Sequence, residues 1–91
     1  MIGNEFKAVI LQTGMSDGMQ QMAAEVSADA SVRYNTLVEI SKFIKETFEK
    51  KYGNTWQCVV GKEFASYISY NDNDFIMFRL EDLSVLLFRC G

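Results

Sequence analysis

A chain of 91 residues has the length of one domain, spanning 1–91, and folding at that size buries roughly 60–65% of the surface exposed when unfolded, which favours assembly with a partner. A hydrophobic fraction of 48%, with seven Phe, four Tyr and one Trp, excludes a disordered tail. A net charge of −3, with Lys50-Lys51 as the longest basic cluster, excludes the electrostatic footprint of nucleic-acid binding.

In chain order, Phe6 to Leu11 is a β-prone apolar run between Gly3-Asn4 and Gln12-Thr13-Gly14, and reads as a first strand. Ser16-Asp17 then offer cap oxygens. Met15, Met19, Met22, Ala23, Val26 and Ala30 recur at helical intervals, so an amphipathic helix is expected to end near Arg33-Tyr34. A second helix is expected over 36–52. Thr36 and Glu39 match a capping box, Leu37, Ile40, Ile44 and Phe48 form an apolar stripe, and Lys50-Lys51 precede Gly53.

Four strands are expected after it: 55–60, 63–69, 74–80 and 83–89, separated by Gly61-Lys62, Asn71-Asp72-Asn73 and Glu81-Asp82. The order β-α-α-β-β-β-β implies an α+β fold, two helices packed on an antiparallel sheet. Phe75-Ile76-Met77-Phe78 and Val85-Leu86-Leu87-Phe88 are apolar on both sides, as strands buried between two layers are. Glu63 to Tyr70 differs, because both its faces mix polar and apolar residues. It reads as an edge, either protected by its polar residues or pairing with another chain, and the lack of charge from Ala65 to Ser69 favours pairing.

Catalytic and metal chemistry find little support. The sequence has no His, and Cys58 and Cys90 have no ligand or C-x-x-C spacing, so neither a metal nor a cofactor is expected and an enzyme would have only carboxylates, Lys or thiol. Asp72, Asp74, Glu81 and Asp82 fit turns better than a calcium loop, and the glycines fit caps and turns better than a nucleotide loop. The methionines of the first helix fit a core better than a ligand surface. No charged-then-apolar leader and no run near the roughly 18 residues of a membrane span is present, so an intracellular, soluble protein is expected.

Several stretches together carry a family resemblance. They are Lys7-Ala8-Val9-Ile10, Met15-Ser16-x-x-Met19-Gln20-Gln21, Tyr34-Asn35, Ile44-Lys45-Glu46-x-Phe48-Glu49-Lys50-Lys51-Tyr52, Thr55-Trp56-x-Cys58-Val59-Val60-Gly61, Phe64-x-Ser66-Tyr67 and Leu86-Leu87-Phe88. With Lys-Lys-Tyr-x-x-Thr-Trp-x-Cys as its specific signature, the chain closely resembles the small dynein light chain (hub) family from Lys7 to Gly91.

The resemblance implies a non-catalytic, strand-exchanged homodimer with two grooves. Each groove takes an extended partner segment, often centred on Thr-Gln-Thr, by β-strand addition. Partners implied are a dynein intermediate chain and other proteins with such motifs, at microtubules in the cytoplasm or the axoneme. By position, Glu63, Phe64, Ala65, Ser66, Tyr67, Ile68, Ser69 and Tyr70 would pair with the partner segment, and Leu37, Val38, Phe75, Met77, Arg79 and Ser84 would shape its pockets. Gln57, Phe64, Ser66, Tyr67 and Ser69 would lie in the dimer interface.

Departures from the family pattern concentrate in that groove. Leu37-Val38 replace an acidic and a basic residue, Met77 and Arg79 replace tyrosines, Ala65 replaces glycine, Tyr70 replaces histidine, and Gln57 replaces the interface histidine linked to acid dissociation. A divergent structural or cytoskeletal adaptor outside the motor, with altered motif specificity, is the alternative reading.

Overall fold

The computed structural model describes residues 8–62 and 74–90. Six elements follow in order: β1 (Ala8–Thr13), α1 (Asp17–Arg33), α2 (Leu37–Tyr52), β2 (Thr55–Gly61), β3 (Phe75–Leu80) and β4 (Leu83–Cys90). The strand expected over 63–69 lies outside the described residues. The four described strands form one antiparallel sheet in the order β1-β3-β4-β2, with two helices on it, so the expected α+β class is found.

Local chemistry sets the element ends. Ser16 caps α1 by accepting the Met19 N–H at 3.3 Å, so Gly18, expected at a cap or turn, falls inside the first helical turn. Thr36 Oγ1 accepts the Glu39 N–H at 3.2 Å and also meets Glu39 Oε1 at 3.0 Å. The capping box is thus closed between two side chains, rather than by Glu39 reaching the Thr36 backbone. Gly53, with φ 75°, ends α2 in the left-handed region, which a residue without Cβ adopts at least cost.

β1 runs to Thr13, two residues beyond the apolar run, whose first two positions lie outside the described residues. Thr13 supplies the reason: its hydroxyl donates to the Phe75 carbonyl at 2.9 Å and accepts the Met15 N–H at 3.0 Å, extending pairing to the start of the α1 connection. A bulge between Ile10 and Gln12 interrupts the register. β3 and β4 are joined by Glu81-Asp82, and Glu81 takes φ 56°, a left-handed conformation that costs a side-chain-bearing residue roughly 1–2 kcal/mol.

The core lies between helices and sheet. Ile76, Phe78 and Leu80 of β3 and Leu83, Val85 and Leu87 of β4 meet Ile40, Ile44 and Phe48 of α2 and Ala23, Val26 and Ala30 of α1. Leu37 belongs to the same periodic stripe but remains 36% exposed, because the first turn of α2 borders a cleft instead of the sheet. Trp56 of β2 is fully buried, with its ring edge-on to Phe48 at 4.9 Å between centroids. Its indole N–H donates to the Gly53 carbonyl at 3.0 Å, and its backbone N–H donates to Glu49 Oε2 at 3.0 Å. Lys45 pairs with the same carboxylate, and these two donors, Lys45 foremost, hold Glu49 below its usual pKa.

Two measurements test this core. Phe48→Ala removes a ring with no solvent exposure and is expected to cost about 3–5 kcal/mol in urea unfolding, much of the stability of a domain this size. Burial pushes the Cys58 thiol up from 9.0 to about 12. The unfolded chain therefore sheds this proton first, and the stability held below pH 9 is lost as pH rises from 9 towards about 12. Cys58→Ala is expected to flatten that alkaline decline when unfolding is compared at pH 8 and about pH 10.5, inside the window between the two thiol pKa values.

Candidate functional site

Strand alternation sends one set of side chains to the helices and the other to the opposite face of the sheet. On that outer face the register aligns three rows: Gln57, Phe88 and Phe75; then Val59, Leu86, Met77 and Gln12; then Gly61, Ser84, Arg79 and Val9. Phe75, Met77 and Leu86 are buried there, yet none belongs to the helix-facing core. They form a second apolar layer. Gln57 and Arg79 are exposed, and Val59 is 49% exposed.

Ser84 lies within this layer at 1% exposure, and its Oγ has no hydrogen-bond partner among the described residues. A buried hydroxyl without a partner costs roughly 1–3 kcal/mol. β2 forms one edge of the described sheet. Its outer-face residues Thr55, Gln57, Val59 and Gly61 carry no charge, and the first charged side chain, Lys62, comes only after the strand ends. At the other end of the sheet the bulge in β1 breaks the regularity that edge pairing needs.

Leu37 and Val38 lie elsewhere, at the start of α2, exposed by 36% and 75%. Leu37 lines a cleft of about 420 Å³ together with Tyr34, Asn35, Ile40, Leu80 and Leu83, with Lys62, Glu81 and Asp82 also on its wall. Lys62 Nζ and Asp82 Oδ2 are 3.3 Å apart. The same Lys62, Glu81 and Asp82 border a second depression together with Arg79. The tip of the β3–β4 hairpin therefore joins the α2 cleft to the Arg79 row of the outer face. Thr36 takes the Glu39 N–H, while the Leu37 and Val38 N–H groups precede the first intrahelical bond of α2, which Ile40 donates to the Thr36 carbonyl.

The sequence-predicted groove residues thus fall into two connected groups. Phe75, Met77, Arg79 and Ser84 share the outer face with Gln57, while Leu37 and Val38 sit across the hairpin tip. The expected pairing strand, Glu63, Phe64, Ala65, Ser66, Tyr67, Ile68, Ser69 and Tyr70, lies outside the described residues. Sequence reasoning missed Lys62, Glu81 and Asp82 as wall residues. Adjacent charges around a two-residue turn give no signal of a cleft until α2 is packed beside them. Val59 and Leu86 were legible in principle, since both alternate with core residues.

For other chemistry the described residues offer little. Among them, no group of three or more His, Cys, Asp or Glu side chains is placed to hold a metal ion, and no helix is long and apolar enough to cross a membrane. Cys58, with its pKa pushed to about 12, holds its proton at neutral pH, the opposite of an activated nucleophile. Asp74, expected in a turn, stands just before β3, and its Oδ2 lies 3.0 Å from Arg89 Nε.

Comparisons with known proteins bear on the fold and the family. The family model for dynein light chain type 1 matches residues 7–90. A dynein light chain of Schistosoma mansoni is 40% identical over 88 residues, covering 97% of this chain and 99% of that protein. Among solved structures, the dynein light chain-like domain of the Fasciola hepatica calcium binding protein FhCaBP2 superposes with a TM-score of 0.82 at 19% identity, covering 100% of this chain and 98% of that one. The DLC-like domain of CsTAL3 gives a TM-score of 0.76 at 19% identity, over 90% of each chain. Those two likenesses concern the fold, whereas the matched residues and the 40% identity concern descent: the chain belongs to the dynein light chain family.

Proposed function

We propose that this protein is a non-catalytic homodimeric light chain of the dynein motor complex, and a hub that binds extended segments of partner proteins by β-strand addition. The observation that carries this reading is the uncharged outer edge of β2, seven residues long and without a neighbour among the described strands. Free N–H and C=O groups on such an edge are a template for a strand from another chain. The second apolar layer of Phe75, Met77 and Leu86, with the orphaned Ser84 hydroxyl, supports the same reading.

In this reading residues 63–70 cross to the β2 edge of the other subunit, and the partner segment pairs with them as the next strand. Gln57 lies at the interface, Phe75, Met77, Arg79 and Ser84 line the groove, and Leu37 and Val38 stand at its α2 end. Main-chain hydrogen bonds supply affinity that tolerates many sequences, and pockets for alternate side chains select among them. Two symmetric grooves add avidity when the partner is itself dimeric. Family membership supports a dynein intermediate chain as the partner, and in this reading the protein works at microtubules in the cytoplasm or axoneme.

The exposed apolar pair at the start of α2 favours one variant of this reading, an adaptor with altered motif specificity that serves cytoskeletal partners outside the motor. Calorimetry with a Thr-Gln-Thr peptide distinguishes the two. Saturable binding, one peptide per subunit, is expected of the motor light chain, and silence together with retained dimerisation favours the altered adaptor.

The dimer itself has a simple test. Gln57 stands where the family pattern has an interface histidine, so sedimentation from about pH 7 to pH 5, across the normal histidine range, is expected to find a dimer throughout. A sharp dissociation near that range would show that another group controls assembly.

A further inference from the structure

The start of β1 stands at the edge of the α2 cleft. Ala8, its first residue, pairs with Leu80 at the end of β3, and Leu80 lines the cleft with Glu81, Asp82 and Leu83 of the hairpin. Later residues of β1 pair with earlier positions of β3, ending with Thr13 opposite Ile76, so the strand runs away from the cleft. Connectivity therefore delivers the residues just before Ala8 to the cleft mouth. On the other side α1 returns beside β1: Ala8 and Ile10 share a depression with Gln20 and Ala24, and Ser31, one helical stretch further on, lines the cleft. From Ala24 to Ser31 a helix rises about 10 Å, the reach of roughly three extended residues beyond Ala8.

Alternation decides which side chain arrives there. Ala8 packs against the helix-facing core. An extended backbone continued back from it puts Phe6 on the same side, two positions and about 7 Å away, and Lys7 on the opposite side. The wall on the helix side is apolar, with Leu37, Ile40, Leu80 and Leu83 beside the half-buried Tyr34. Leu37 is 36% exposed, so a ring laid against it removes apolar surface from water. Between Gly3 and Ala8 the residues other than Phe6 are Asn4, Glu5 and Lys7, none of which suits such a wall.

We infer that the α2 cleft is an intramolecular docking site, occupied by the chain's own segment before β1, with the Phe6 ring against Leu37, Ile40 and Leu83. The contact ties the start of β1 to α2 and closes the cleft of about 420 Å³ in cis. It goes beyond the peptide-binding reading and does not depend on it. Where that reading holds, a partner segment reaches Leu37 only by displacing Phe6.

Two measurements on the full chain test this, and neither involves a ligand. In the unaltered protein, nuclear Overhauser contacts are expected from the Phe6 ring to the methyl groups of Leu37, Ile40 and Leu83. A sample mixed from isotope-labelled and unlabelled chains separates contacts within one chain from contacts between chains. The second measurement reads accessibility, with a thiol placed in the cleft by Ser31→Cys and the other half-buried thiol removed by Cys90→Ser. Adding Phe6→Ala is expected to speed its reaction with a maleimide roughly tenfold, the low end of the protection that burying a Phe side chain gives. Phe6→Leu, which keeps an apolar side chain, is expected to restore most of that protection. Cys58 does not compete, because burial keeps its thiol protonated at neutral pH.

Absence of the Phe6 contacts overturns the inference, and so do contacts found only between chains. A labelling rate that Phe6→Ala leaves unchanged, in a variant whose circular dichroism matches the parent, overturns it as well. If Phe6→Ala does not fold, the contacts in the unaltered protein decide.

Discussion

Burial of Trp56 is the constraint on which the other placements depend. Its ring packs edge-on against Phe48, its indole N–H is satisfied by the Gly53 carbonyl, and its backbone N–H is satisfied by the Glu49 carboxylate. Arg89 of β4 covers the ring at 5.0 Å from its centroid. One residue of β2 is therefore fixed to the end of α2 and to the neighbouring strand at once. Every polar atom it brings into the interior has a partner, so its burial carries the hydrophobic gain without the desolvation penalty.

This anchoring decides the strand's other side. With Trp56 pointing inward, alternation turns Thr55, Gln57 and Val59 outward, in register with Phe88 and Leu86 of β4. A slip of one residue would put Trp56 into solvent and Gln57 into the core, which the aromatic cluster forbids. The outer face is thus as strictly specified as the core, although neither described helix packs on it. The second apolar layer of Phe75, Met77 and Leu86 is buried but stands apart from the helix-facing core.

The two ends of α2 divide the work. Its last turn holds the fold: Glu49 receives Lys45 and the Trp56 N–H, and Gly53 closes the helix. Its first turn holds little, since the cap is local to Thr36 and Glu39, Leu37 borders the cleft and Val38 is exposed to solvent. Changes at the first turn therefore leave the core intact. A scaffold of this kind tolerates new specificity where the packing constraints are weakest.

Much of the architecture was legible in the sequence. The stripe Ile40, Ile44 and Phe48 fixed a helix with one buried face, the Ser16 and Thr36 hydroxyls marked both helix starts, and doubly apolar β3 and β4 announced central strands. These features are local, set by spacing and hydrogen-bonding groups within a few residues. The extension of β1 to Thr13 was not legible, because it depends on a Thr13 hydroxyl finding a carbonyl 62 positions away. Leu37 read as core from periodicity alone, and only the packing of α2 beside the hairpin left it at a cleft. What the sequence by itself determined is where side chains alternate and where helices begin. Which strands lie side by side, and hence that Gln57, Phe75, Met77, Arg79 and Ser84 share one face across the hairpin tip from Leu37, was decided by the tertiary structure. Strand order depends on long-range pairing energies that no local pattern encodes.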